Sequence, residues 1–337
     1  MKDHIKNNAG YLIVVTLFSI LFGSYRFSSN MVQLFEDFTY EKFINFGVDK
    51  PFVLRTLIGA VLHVVHSIIP ISPTALCWLA ECGACFMMTV LFCYYLNIFL
   101  KDVLLARIFS FTPFLILPYM MLFPRYLPFW YPYDLWSVVF NIAGLILIYQ
   151  KKWLYFYLTF VLATVNRETS CFLTMTFLLV YFKQMENRKL FFHFAAQLFL
   201  WLAVKLAVGH IFANSPGPVF ITQIRNNFNF LTNPYFGSLA HNENVAGSVI
   251  FEVVFKIAYL VGNFGFVWIL VVFHHKYLKN QFLSRAALVL IPFTGAMLIV
   301  ANIYEYRIFG EMLPFILAPA IVIIANMFRE RYVEQPA

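Results

Sequence analysis

At 337 residues, 61% of them hydrophobic and only 12% charged, this chain lacks the charged surface that a soluble domain of its size needs. Its formal net charge of +8 arises from 24 Lys and Arg that cluster between apolar runs and form no continuous stripe, which argues against a nucleic-acid partner. The surplus matches the Lys/Arg bias of cytoplasmic loops in membrane proteins.

The first apolar run, 11–22, follows Lys2 and Lys6 as in a signal peptide. No small-residue cleavage site follows it, so it reads as an uncleaved first span. A helix needs about 20 apolar residues to cross a hydrocarbon core about 30 Å thick. Spans are predicted near 9–29, 74–100, 103–123, 134–150, 153–166, 168–183, 190–212, 250–273, 285–303 and 311–328. The predicted fold is all-α: one polytopic membrane helix bundle over 1–337, with about ten spans and both termini on one side.

Alternate connections carry the basic residues: Lys101-Asp102, Lys151-Lys152, the stretch 183–189, the stretch 274–279 and Arg329-Glu330-Arg331. With Lys2, Lys6, Arg107 and Arg285 they hold more than half of the 24 cations. By the positive-inside rule this face is cytoplasmic. The chain carries no Asn-x-Ser/Thr sequon, which points to a bacterial source. The expected location is the bacterial inner (plasma) membrane, multi-pass, with cytoplasmic N and C termini.

The other connections face outward. The first outer loop, 30–73, contains the apolar stretch 51–70, which carries Arg55, His63 and His66. Were that stretch a span, every later basic loop would flip outward. It is therefore read as a helix lying in the outer interface. His63 and His66, three residues apart, are too few ligands for a metal site. The CxxC of Cys82 and Cys85 lies inside an apolar helix and reads as core packing. The spans 153–166 and 168–183 are short, about 21 Å for 14 residues. The turn between them, Asn166-Arg167-Glu168-Thr169, thus lies below the outer membrane surface. Ionisable groups there belong to a cavity or a paired network. The second large outer loop, 213–249, is long enough to act as a lid or acceptor-binding loop.

Five features converge on the outer face. Adjacent carboxylates Glu36 and Asp37 suit a divalent metal, or a general base beside a second acid. Arg55 enters an apolar helix and needs an anionic partner, carboxylate or phosphate. The run from Arg125 to Asp134 is dense in aromatics, which suit an interfacial belt; Trp130 and Tyr131 also suit stacking on sugar rings, and Asp134 begins a span as a helix cap would. The fourth is the Asn166-Arg167-Glu168 turn. The fifth is Glu305-Tyr306-Arg307, with Glu311 and Pro314 after it, where Glu305 and Arg307 pair with each other or with the loop carboxylates. Inside the spans, Glu81 and Lys205 should both avoid lipid, and Lys205 suits a phosphate contact.

In this order, Glu36-Asp37, the stretch 51–55, Tyr131-Pro132-Tyr133-Asp134, Asn166-Arg167-Glu168-Thr169 and Glu305-Tyr306-Arg307 resemble the C-type (GT-C) superfamily of membrane glycosyltransferases. The resemblance covers most of the chain as topology and a few short motifs as sequence. It implies transfer of a sugar from a polyprenyl-phosphate carrier to a glycan or lipid acceptor at the outer face. It further implies that Asp37 or Glu36 is the base and that Arg55, Arg125, Asp134, Asn166, Arg167, Glu168, Lys205, Glu305 and Arg307 bind substrate. The acidic pair is not an Asp-x-Asp, so a divalent metal there stays open and no metal ligand is assigned. Two other readings use the same face. One is a polysaccharide polymerase or ligase acting on an undecaprenyl-pyrophosphate-linked glycan. The other is a transporter or flippase, although no internal repeat is present.

Overall fold

A computed structural model describes residues 2–29, 38–121, 131–233 and 260–332, together with 254, 256 and 258. Among the described residues the protein is all-helical. Six segments are long and apolar enough to cross a membrane: Asn8–Ser28, Pro73–Leu100, Val103–Met120, Asn187–Ile211, Gln281–Val300 and Leu313–Arg331. The chain order is α1 (Lys2–Ser28), α2 (Tyr40–Ile44), α3 (Leu57–Ile68), α4 (Pro73–Leu100), α5 (Val103–Phe109), α6 (Pro113–Met121), α7 (Asp134–Tyr149), α8 (Trp153–Asn166), α9 (Cys171–Tyr181), α10 (Asn187–Ile211), α11 (Ile224–Thr232), α12 (Val267–Phe273), α13 (Gln281–Ala287), α14 (Leu290–Val300), α15 (Arg307–Gly310) and α16 (Leu313–Tyr332). Of the other predicted spans, 153–166 is one helix of that length, 134–150 and 168–183 give shorter helices, and 250–273 lies partly outside the described residues. Glu168–Ser170 and Asn263–Phe266 form 3-10 turns ahead of α9 and α12, which shortens both helices.

Helix starts follow local chemistry. Ser72 caps α4, accepting from the Ala75 N–H at 3.3 Å, and Pro73 fills the first turn, where its missing N–H costs nothing. Asp102 accepts from Leu104 and Leu105 at the start of α5. Asn280 does the same for Leu283 in α13. The long helices bury one stripe and leave the other apolar. On α10, Phe191, Phe192, Phe199, Leu206 and Ile211 are all exposed, and α1 exposes Ile13, Leu17, Phe18 and Leu21. Water would penalise apolar surface this extensive; a bilayer accepts it.

The two ends of the bundle differ. At one end the rings of Phe99, Tyr149 and Phe282 pack together. There Arg285 donates to the carbonyls of Val180 and Phe182, Arg329 donates to the carbonyl of Leu100, and Lys279 pairs with Glu330 at 2.8 Å. The two arginines thus satisfy carbonyls at helix C-termini and face the negative ends of the helix dipoles. Lys101, Lys151 and Lys183 turn the chain there with φ of 53°, 56° and 59°, where glycine is usual and lysine keeps a positive charge. The opposite end carries α2, α3 and the start of α11. A small core of its own, with Phe38, Phe43, Ile44, Val53, Ile58 and Tyr133, joins the first loop to α4 and α10. α3 is 12 residues long, about 18 Å, too short to cross a hydrocarbon core.

Cys77, Cys82 and Cys85 are free and buried, as core packing requires. Gly23 shows why small residues matter in α1. A Cβ there would stand 2.8 Å from the Cys82 Sγ and 3.2 Å from its Cα, so the two backbones touch. Gly23→Val is expected to destabilise the protein by about 1–3 kcal/mol. A Cβ added at Gly10 would meet nothing within 4 Å, so Gly10→Val supplies the control. Equal thermal unfolding of the two variants in detergent would disprove the close approach.

Candidate functional site

The charged turns at the second end of the bundle meet in one paired network centred on two of its three carboxylates, each of these two shared by two cations. The first is Asp134, the opening residue of α7, almost wholly buried. Its Oδ1 accepts from Arg167 Nη1 at 3.0 Å; its Oδ2 accepts from Arg307 Nη1 at 3.3 Å and from the Tyr131 N–H at 3.0 Å. Asp134 therefore does more than begin a helix: it clamps two arginines and the chain just before it. Arg307 also donates to Glu305 Oε2 at 2.6 Å, and its guanidinium lies 4.7 Å from the centre of the Tyr131 ring. Asn302 donates to the other Glu305 oxygen at 2.8 Å.

The second shared carboxylate is Glu168. Arg55 grips it with two nitrogens, Nη2 at 2.5 Å from Oε1 and Nε at 3.3 Å from Oε2. This is the fork geometry that lysine cannot reproduce. Lys205 Nζ lies 3.8 Å from Oε2. Arg55 also donates to the Tyr133 hydroxyl at 3.0 Å, and the indole N–H of Trp201 holds the Glu168 carbonyl at 2.9 Å.

Local backbone shape separates the two neighbours in the turn. Arg167 is extended, φ −161° and ψ 140°, so consecutive side chains leave on opposite faces. Arg167 goes to Asp134 and Glu168 goes to Arg55, so the two neighbours serve different partners. Asn166 fastens the turn to α7, donating to the Tyr133 carbonyl at 3.1 Å and to Ser137 Oγ at 3.0 Å.

Arg55, Asp134, Asn166, Arg167, Glu168, Lys205, Glu305 and Arg307 thus come together from segments far apart in sequence. Glu36, Asp37 and Arg125 lie outside the described residues, and with them the expected base and the suggested divalent metal. His63 packs on Phe46 and His66 bonds to the Ile71 carbonyl. Among the described residues no group of three His, Cys, Asp or Glu side chains is arranged to hold a metal.

Comparison with protein-family models, with curated proteins and with solved structures finds no match. What the site does chemically therefore follows from its own geometry. Burial alone would weaken the Arg55 guanidinium, but the Glu168 carboxylate holds its pKa well above the usual value. Burial acts likewise on Arg307, and Glu305 and then Asp134 more than offset it. Burial pushes the Tyr133 phenol up, despite Arg55, so it stays protonated. The paired network holds four cations and three carboxylates, all fixed in position. Glu168, with 35% of its side chain exposed, is its open edge.

Several members were not predicted as site residues. Glu311 accepts from Thr169 Oγ1 at 2.6 Å, and its carbonyl accepts from Asn141 at 2.9 Å. Ser137, Asn141, Arg167, Thr169, Ser170 and Glu311 line a small, half-open pocket of about 10 Å³, room for one water-sized group. A carboxylate two residues ahead of a long apolar helix was the available signal for Glu311. The buried pair Arg26–Glu81, 2.9 Å apart, joins α1 to α4. Its signal was an arginine at one end of a span and a lone glutamate in the next.

Proposed function

We propose that this chain is a membrane glycosyltransferase of GT-C-like build, moving a sugar from a polyprenyl-phosphate carrier to an acceptor at the outer face. In this reading the chain crosses a bacterial inner membrane about ten times, with both termini in the cytoplasm. The Lys-rich end faces the cytoplasm and the Arg–carboxylate end faces outward. The observation that carries the reading is the convergence of Arg55, Arg167, Lys205 and Arg307 at the end of the bundle where α8 and α9 are short. Cations held at that depth suit a phosphate whose lipid tail remains in the bilayer.

The chemistry needs two things from the protein. A carboxylate, Asp37 or Glu36, takes the proton of the acceptor hydroxyl as it attacks the anomeric carbon. Fixed cations stabilise the phosphate as it leaves. Asp134 and Glu168 hold those cations at set positions, and Arg55 and Lys205, beside the open edge, are where the phosphate meets positive charge. The shallow helices α2 and α3 lie in the outer interface beside it.

Washed membranes given labelled polyprenyl-phosphate sugar test this reading. Label is expected to move to an acceptor, with loss in Asp37→Asn or Glu36→Gln. Undiminished transfer by both variants would remove the proposed base. Arg55→Lys keeps the charge but loses the fork, and transfer is expected to fall by about a hundredfold. Cysteine-accessibility labelling should place residues 36 and 167 on the same, outer side; opposite sides would end the reading. Accumulation of substrate in proteoliposomes with no covalent product would instead favour transport.

A further inference from the structure

The pocket beside the ion-pair network holds polar atoms that the network itself does not use. Arg167 and Glu311 both line it, and both are at least nine-tenths buried. Arg167 spends Nη1 on Asp134, while its Nε–H has no acceptor. Glu311 spends Oε2 on Thr169, while its Oε1 has no donor. A buried donor and a buried acceptor left unsatisfied each cost free energy, and retention of both in one pocket calls for a ligand that satisfies both.

The pair also sets the ligand's charge. An anion would be repelled by the Glu311 carboxylate, and a cation by the Arg167 guanidinium. A neutral hydroxyl fits: its oxygen accepts from Arg167 Nε–H and its hydrogen goes to Glu311 Oε1. The remaining polar lining, Ser137, Asn141, Thr169 and Ser170, makes hydrogen bonds within the protein and shapes the pocket. The apolar Ala163 closes one wall.

We propose that this pocket binds a hydroxyl group of a carbohydrate, held between Arg167 and Glu311. The proposal rests on the glycosyl-transfer reading, and adds to it the part of the site that recognises the sugar. The lipid-linked phosphate and a sugar hydroxyl are then read by different faces of the same turn: Glu168 with Arg55 and Lys205 on one side, and Arg167, shared by both, with Glu311 on the other.

The test uses purified full-length protein in nanodiscs and four free monosaccharides, D-glucose, D-galactose, D-mannose and N-acetyl-D-glucosamine, with saturation-transfer NMR as the readout. Wild type is expected to transfer saturation to at least one of them. Glu311→Gln should weaken that binding about tenfold, because the charged acceptor is lost. Ala163→Val fills the pocket without touching a charge and should weaken it as well; if Glu311→Gln does not fold, this variant decides alone. No transfer in wild type, or equal transfer in the variants, would overturn the proposal and leave the pocket to a structural water. The labelled-carrier assay run beside it separates the two ideas. Turnover without pocket-dependent binding sinks the pocket alone, and pocket-dependent binding without turnover sinks glycosyl transfer alone.

Discussion

Asp134→Ala is expected to cost about 3–5 kcal/mol of stability, because it leaves two buried arginines without their shared counter-charge. Arg167 and Arg307 approach opposite oxygens of this one carboxylate, at 3.0 and 3.3 Å, and both side chains are largely buried. Arg307 keeps Glu305, so the uncompensated charge falls mainly on Arg167. Asp134→Asn should be milder, since its amide oxygen still accepts from one arginine. The double variant Asp134→Ala, Arg167→Met should recover part of the loss, the two positions being coupled. Thermal unfolding in detergent measures this. An Asp134→Ala protein that melts with the wild type would mean that the network does not hold α7, α8 and α15 together. Transfer should fall in every variant of this set, because the Tyr131 N–H and the 131–134 turn are positioned by the same carboxylate.

How much of this was legible in the sequence depends on what kind of contact was involved. That 166–168 sits between short helices and that its ionisable groups are paired followed from helix length and from the cost of such groups in lipid, both local properties. The membrane bundle and its two unlike ends followed from the placement of Lys and Arg. Partner choice did not. Arg167 and Glu168 are neighbours, and only the extended backbone at Arg167 reveals that they serve different carboxylate–cation clusters. Glu305 and Arg307, two residues apart, do pair, and Arg307 also reaches Asp134 across 173 positions of chain, which no spacing rule predicts. Lys205 was read as suited to a phosphate, and its neighbour Glu168 is brought to it by packing of α10 against α8, not by any motif. Span counting from apolar runs overshoots helix length because 168–170 and 263–266 lie within the predicted spans yet fold as 3-10 turns.

Glu81→Ala is the second variant with a large expected effect. Glu81 and Arg26 are both fully buried, and their ion pair lies between two long apolar helices. Removing the carboxylate leaves a guanidinium charge in apolar surroundings, at a cost of about 3–5 kcal/mol. Replacing both, Arg26→Leu with Glu81→Leu, should return most of that stability, because a well-packed apolar pair escapes the desolvation penalty altogether. A double-mutant cycle by thermal unfolding is expected to give a coupling of at least about 2 kcal/mol; additive losses would show that the pair does not bind α1 to α4. The effect should also reach the site. The carbonyl of Ala80, next to Glu81, accepts from the indole of Trp136 at 3.2 Å, two residues beyond Asp134. A shifted α4 therefore moves the start of α7. Glu81→Ala should lower transfer in proportion to its destabilisation, and the double leucine variant should restore both together.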